Sequence, residues 1–224
     1  MKRVVVKSLE KISLSLVLLL AVFVLCLVCL FAVADMVFED KSVLFDERIF
    51  ALINPHINTA NTTIFQAITF FGSITFLWPA NLALVLYFLF LKKDKHNAWK
   101  VTVVAITNTV VLFLLKGILK RQRPIQPVIA AVHGYSFPSG HTFCSVVFFG
   151  MLIYFAYRNI SNNTLKWYAI ILMALFAMAI GFSRIYLRVH YASDVIAGFC
   201  LGIIWLFLAK WILVKTDAVT NKHY

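Results

Sequence analysis

Residues Ile12–Val33 read ISLSLVLLLAVFVLCLVCLFAV, 22 positions without a charged side chain. An α-helix of about 20 apolar residues crosses the hydrocarbon layer of a bilayer. This stretch therefore predicts a transmembrane helix. Ala32-x-Ala34 resembles a signal cleavage site. Signal cores, however, run about 7–15 apolar residues, so the longer run here predicts an uncleaved span.

Reading outward, five more apolar runs follow at Phe71–Leu91, Trp99–Leu119, Thr142–Tyr157, Trp167–Phe182 and Val195–Val214. The fourth and fifth are short and are expected to extend into their flanking loops. The expected fold is all-α: a polytopic bundle of six transmembrane helices, with residues 1–224 forming one integral-membrane domain. The composition agrees. The chain is 62% hydrophobic and 13% charged, with a mean hydropathy of +0.89, whereas soluble domains carry about 25% charge. A soluble globule and a disordered chain are both excluded.

The net charge of +12 does not call for nucleic acid. Lys2, Arg3, Lys7 and Lys11 precede the first span, and Lys92, Lys93, Lys95 and Lys100 lie between the second and third. Arg158 and Lys166 lie between the fourth and fifth, and Lys210, Lys215 and Lys222 end the chain. Lys and Arg concentrate in cytoplasmic loops, so these segments share the cytoplasmic side. The segment after the first span carries Asp35, Glu39, Asp40, Asp46 and Glu47 against Lys41 and Arg48. Both termini then lie inside and three loops face outward. Asp46–Phe70 is expected to form a short interfacial helix and loop, broken at Asn54-Pro55.

Cys26, Cys29, Cys144 and Cys200 all lie in apolar runs and are expected to stay free thiols. Cys26-x-x-Cys29 lacks the further ligands a zinc site needs. Gly198-x-x-x-Gly202 is a small-residue stripe, read as packing inside the bundle, with dimerisation as the alternative.

Two outward loops carry the wrong charge for their side. One holds Lys116, Lys120, Arg121 and Arg123; the other holds Arg184 and Arg188. Ionisable groups at the membrane edge are functional candidates, although snorkelling to headgroups explains any one of them alone. Three elements meet at this face. They are Lys116-x6-Arg123-Pro124, Pro138-Ser139-Gly140-His141, and Ser183-Arg184-x5-His190-x3-Asp194. Together they suit a phosphate monoester. Arg123 and Arg184 can each grip phosphate oxygens in a fork, and Lys116 adds a point charge. Ser139 and Gly140 open the fourth helix, where backbone N–H groups bind anions. An ordinary helix cap is the plainer reading of that tetrapeptide.

His190 and Asp194 share a helical face if the sixth helix starts early. The carboxylate would then fix the imidazole tautomer and leave the other nitrogen free as a nucleophile. His141 is placed to donate a proton to the leaving oxygen and later to take one from water. Taken singly, Asp194 reads equally as a helix cap and His190 as an interfacial histidine. Lys120, Arg121 and Arg188 are read either as contacts to a second phosphate or headgroup charge, or as solvated or lipid-facing cations. His133 and Tyr135 are candidates for the entrance.

These eleven positions, in this order and spacing, resemble the signature of the type 2 phosphatidic acid phosphatases, whose phosphatase domain is shared with soluble vanadium haloperoxidases. The resemblance covers about 71–214. It implies that His190 is the nucleophile that forms a phosphohistidine, that Asp194 orients it, and that His141 is general acid and then base. It implies that Lys116, Arg123, Ser139, Gly140 and Arg184 bind the phosphate. It also implies no cofactor and no metal, and the outward loops carry no carboxylate cluster suited to Mg²⁺. The compact bacterial members suggest a multi-pass protein of the cytoplasmic membrane. Their substrates are membrane lipids in the bilayer: undecaprenyl diphosphate, phosphatidylglycerophosphate or phosphatidate. The outward site favours undecaprenyl diphosphate. A lipid phosphotransferase using the same phosphohistidine and an anion transporter are the alternatives.

Overall fold

The computed structural model describes residues 2–39, 42–130 and 132–220, with backbone alone for 2–13, 15 and 211–220. Asp40, Lys41 and Lys222 of the charge reading lie outside the described residues, as do the side chains of Lys2, Arg3, Lys7, Lys11 and Lys215. The helices in chain order are α1 (Lys2–Phe38), α2 (Ser42–Ile53), α3 (Thr59–Phe70), α4 (Ile74–Leu86), α5 (Lys95–Leu119), α6 (Gly140–Asn159), α7 (Asn163–Tyr186) and α8 (Ala192–Thr220). A single 3₁₀ turn, Asn54–His56, follows α2, and a π-helical turn, Tyr87–Leu91, extends α4.

Among the described residues, six segments are long and apolar enough to cross a membrane: Leu16–Phe38, Thr59–Leu91, Lys95–Leu119, Gly140–Asn159, Asn163–Tyr186 and Ala192–Lys210. Their outward surface is apolar, with Leu25, Phe31, Phe90, Phe113 and Leu172 exposed, while Asp46, Arg184, His190 and Asp194 are buried. Apolar outside and polar inside is the arrangement a lipid solvent requires. The two short runs do extend into their loops, as expected.

The second span departs from the sequence reading. It begins at Thr59 and not at Phe71, because Asn58 caps a helix that the mixed composition had suggested was loop. The Asn58 side chain accepts from the Asn61 N–H at 2.9 Å. Residues 46–70 are therefore not interfacial helix and loop throughout. They comprise α2, the 3₁₀ turn, and α3, which packs on α7. A tight turn at Gly72 leads on into α4. A Cβ at Gly72 would lie 2.4 Å from Ile180 Cγ2 and 3.3 Å from His141 Cδ2, so the glycine lets this turn sit against α7 and the start of α6.

Helix α6 is the hub, packed on α5, α7 and α8. Phe143 and Val147 of α6 and Ile180 of α7 are fully buried in one core cluster. The small-residue stripe of α8 faces it from within the chain. A Cβ on Gly198 would meet Ser139 O and Thr142 Cβ at 3.0 Å, and one on Gly202 would meet Val146 Cγ1 at 2.6 Å. The four cysteines are free. Cys26 and Cys200 share a small apolar cluster that joins α1 to α8.

This packing brings the end of α5, the start of α6, the end of α7 and the start of α8 to one end of the bundle. The basic loops around Lys93 and Asn162 turn at the opposite end. Gly202→Leu should overpack the α6–α8 contact and destabilise the protein by about 1–3 kcal/mol, measured by thermal unfolding in detergent. An unchanged melting temperature with a shifted monomer–dimer equilibrium would instead place the stripe against a second copy.

Candidate active site

The segment between α5 and α6 folds back over the site end. Lys116 Nζ donates to the Tyr135 carbonyl at 2.5 Å and to the Ser136 carbonyl at 3.4 Å. Lys120 closes α5 in the left-handed conformation, φ 45°. Arg123 Nε then donates to the Gly134 carbonyl at 2.9 Å, and Nη1 to the Val189 carbonyl at 2.7 Å. One cation thus ties the α5–α6 loop to the α7–α8 turn. The structure brings Lys116, Arg123, His141, Arg184, His190 and Asp194 together, although α7 starts some forty residues after Arg123.

Helix α8 begins at Ala192, so His190 sits in the turn just before it. His190 Nδ1 still lies 3.4 Å from Asp194 Oδ2 and 3.3 Å from Ser136 Oγ. On the other side of the ring, Arg123 Nη1 lies 3.1 Å from Nε2. A guanidinium can only donate, so Nε2 is the accepting, unprotonated nitrogen. The ring hydrogen then sits on Nδ1 and points at Asp194. Burial pushes His190 down from its ordinary value to about 3; the bond and charge of Asp194 pull it upward, and Arg123 and Arg184 push it down again. The imidazole is neutral at physiological pH, with its Nε2 lone pair facing Arg123.

Asp194 is fully buried; it caps the start of α8 and also faces His190. As the third residue of α8 it accepts from the Tyr191 N–H at 2.9 Å, a reach back across the helix start of capping-box type. It also accepts from the Ser136 hydroxyl and from Arg121 Nη1, the latter at 2.6 Å.

Arg184, buried in the last turn of α7, donates through Nη1 to Thr69 Oγ1 at 2.7 Å. Its Nε is buried and has no partner among the described residues. An unpaired buried donor is costly, and an anion beside it would remove that cost. His141 lies within electrostatic reach of Arg184, His190, Arg123 and Lys116. Gly140 opens α6, and a Cβ there would meet Leu112 Cδ2 at 3.0 Å and Lys116 Cε at 3.7 Å.

Ser139 fits its expected role less well. Its N–H donates to the Asp194 carbonyl at 3.0 Å, and its hydroxyl accepts from Thr142 Oγ1 at 2.9 Å. The Ser139 amide is therefore committed to holding α6 on α8, leaving Gly140 as the first amide of the helix for an anion. An apolar cavity of about 460 Å³ lies between α4 and α5, lined by Leu77, Trp78, Ile106 and Phe113, and ends at Gly140 and His141.

Of the three cations outside the signature, Arg121 fits neither sequence reading. Arg121 lies between two buried carboxylates, 2.6 Å from Asp194 Oδ1 and 2.8 Å from Asp46 Oδ2. Arg188 has φ 53° and stacks on Phe50 of α2, 4.8 Å from the ring centre. Lys120 is exposed. His133 is exposed and Tyr135 half-buried, and the latter offers the site its carbonyl. Asp46, Ser136, Ser193 and Thr69 are the site-end residues that the sequence reading did not assign, and Arg121 is the one it assigned differently. The spacing of Ser42, Asp46, Phe50 and Ile53, the buried face of α2, is the one local signal for Asp46.

Residues 97–217 match the PAP2 superfamily. The chain belongs to that superfamily. Phosphatidylglycerophosphatase B of Bacillus subtilis is 28% identical over 148 residues, covering 66% of this chain and 72% of that protein. The crystal structure of a transmembrane PAP2-type phosphatidylglycerolphosphate phosphatase from Bacillus subtilis superposes with a TM-score of 0.74 at 25% identity, over 88% of this chain and 96% of that one. The crystal structure of Aquifex aeolicus LpxE gives 0.56 at 25% identity, over 72% and 92%. The protein is a multi-pass PAP2-type lipid phosphatase of the membrane.

The neutral state of His190 has a thermodynamic consequence. An unfolded histidine takes up its proton near 6.5. Below that pH the unfolded chain holds a proton that folded His190 refuses, so stability falls as pH drops from about 6.5 toward 3. Wild type should lose roughly 2 kcal/mol more than His190→Gln between pH 7 and pH 5, read from unfolding in detergent. Equal losses would mean that the folded histidine is protonated.

Proposed function

We propose that this phosphatase, as one integral-membrane domain of residues 1–224, hydrolyses a phosphate monoester or diphosphate of a membrane lipid through a phosphohistidine on His190. The candidate lipids are undecaprenyl diphosphate, phosphatidylglycerophosphate and phosphatidate. The observation that carries this reading is the two-sided setting of one imidazole. Nε2 faces Arg123 at 3.1 Å, while Nδ1 faces the Asp194 carboxylate.

In the first half-reaction Nε2 attacks phosphorus, the P–N bond forms, and the bond from phosphorus to the lipid oxygen breaks. His141 gives its proton to that departing oxygen. The ring becomes cationic, and Asp194 holds its Nδ1–H. Arg123, Arg184 and Lys116 stabilise the charge on the transferring phosphoryl oxygens. In the second half His141 takes a proton from water, the resulting oxygen attacks phosphorus, and the P–N bond breaks to release phosphate. The apolar cavity that ends at His141 supports a lipid substrate, because it offers a hydrocarbon chain a place beside the chemistry.

A rapid quench with labelled lipid should trap an acid-labile phosphohistidine at His190. His190→Ala should give none, and His141→Ala should slow both halves, by about 10²–10⁴-fold. Label on another residue, or full turnover by His190→Ala, would remove the mechanism. Comparing kcat/KM across the three lipid classes then ranks the substrate.

The charge pattern supports a site on the outer face of the bacterial cytoplasmic membrane, with both termini inside. In a cysteine-free background, an impermeant maleimide on intact cells should label cysteines placed at Gln126 and Ala130 but not at Lys93 or Asn162. The reverse pattern would put the site in the cytoplasm.

A further inference from the structure

We propose that Arg121 and Asp46 are positioning residues, forming an ion-paired arm anchored on α2 that holds the Asp194 carboxylate against Nδ1 of His190. The proposal rests on the phosphohistidine reading above.

The two oxygens of Asp194 have different partners. Oδ2 faces His190 and also accepts from Ser136 and from the Tyr191 N–H. Oδ1 points away from the histidine and takes Arg121 Nη1 at 2.6 Å. The terminal torsion of an aspartate is broad and roughly two-fold, so partners on one oxygen alone leave the carboxylate some torsional freedom. A charge-assisted bond on the other oxygen closes that freedom.

The guanidinium is gripped in turn. Nη2 donates to Asp46 Oδ2 at 2.8 Å and to Ser42 Oγ at 3.0 Å. The ring of Tyr191 lies 4.2 Å beneath it. Asp46 is fully buried and reaches α8 a second time. It accepts from Ser193 N–H at 2.9 Å and from Ser193 Oγ at 2.6 Å. The residue next to Asp194 is thereby fixed from the same carboxylate. The arm controls both the side chain and the backbone that aims it.

The charges also suit the reaction. Two carboxylates flank one guanidinium, so the cluster carries a surplus negative charge beside a histidine that turns cationic on phosphorylation. An interaction stronger in that state than in the resting state accelerates the step. Both terminal nitrogens of Arg121 are already engaged with Ser193, Asp194, Ser42 and Asp46, which argues against a phosphate contact. A purely structural ion pair is the competing explanation, since buried pairs are weak evidence of stability. The two differ in what they do to turnover.

The test uses the full chain in dodecyl maltoside micelles with whichever of the three lipid phosphates wild type turns over fastest. Arg121→Met, Arg121→Lys and Asp46→Asn are compared in kcat, KM and rate of phosphohistidine formation, with thermal unfolding as the folding control. Arg121→Met should lower kcat and phosphohistidine formation together by about 10–100-fold, with KM changed less than about twofold. Arg121→Lys should recover part of the loss. Asp46→Asn should show a smaller loss of the same kind, and the double variant should be no slower than Arg121→Met, because the two act as one unit. If Arg121→Met does not fold, the other two single variants carry the same comparison. Folded variants that form phosphohistidine at the wild-type rate would reduce the arm to a structural ion pair. A raised KM at unchanged kcat would make Arg121 a headgroup contact. Absence of phosphohistidine in wild type would overturn the underlying mechanism, an outcome distinct from either.

Discussion

One buried carboxylate organises this end of the bundle. The side chain of Asp194 accepts from the start of its own helix, from the α5–α6 loop through Ser136, and from Arg121, and it faces His190. Its backbone carbonyl takes the Ser139 N–H that sets the start of α6. A carboxylate out of water must be paired and hydrogen-bonded to be tolerated at all. The partners that meet this requirement come from two stretches, the α5–α6 segment and the α7–α8 turn, so satisfying Asp194 draws the two together. The cationic side then follows, since Arg123 bridges the two loops that Asp194 joins and meets His190 from the opposite edge.

The bundle beneath supplies rigidity where this assembly needs it. Gly198 and Gly202 let α8 lie close on α6, fixing the two helix starts that carry Asp194 and Gly140. Gly72 lets the turn before α4 press on Ile180 and His141, so the second histidine is held from the side of the apolar cavity. Lipid faces an apolar surface throughout, and the charges needed for phosphate chemistry are confined to one end, where the helix termini leave backbone donors and acceptors to meet them.

Much of this was legible in the chain. Apolar runs nearly free of charge announced the spans. The cations of the three short elements stood out against the charge alternation of the loops, and the histidines by their spacing from those cations. What stayed hidden has a common physical cause. Asp46 reads as one more acid in an acidic segment, and Arg121 as one more base in a basic one, because their pairing joins positions seventy-five apart. Ser136 and Ser193 look like ordinary loop and cap residues until Asp194 and Asp46 are placed beside them. The second span was read short because Asn58 starts a helix whose early turns, with Asn61, Thr62 and Gln66, are too polar to look membrane-bound. The Ser139 amide looked available for an anion because sequence cannot show that the Asp194 carbonyl has claimed it.

Nε2 of His190 is the proposed point of attack, with Arg123 against it and Arg184 within electrostatic reach. A crystal structure of the protein with vanadate, whose five-coordinate form mimics the phosphoryl transition state, tests this directly. The account predicts vanadium bonded to Nε2, with Nδ1 still on Asp194 and the unpaired Nε of Arg184 donating to an equatorial oxygen. Vanadate bound through Nδ1, or to another residue with Arg123 still closed over His190, would contradict it.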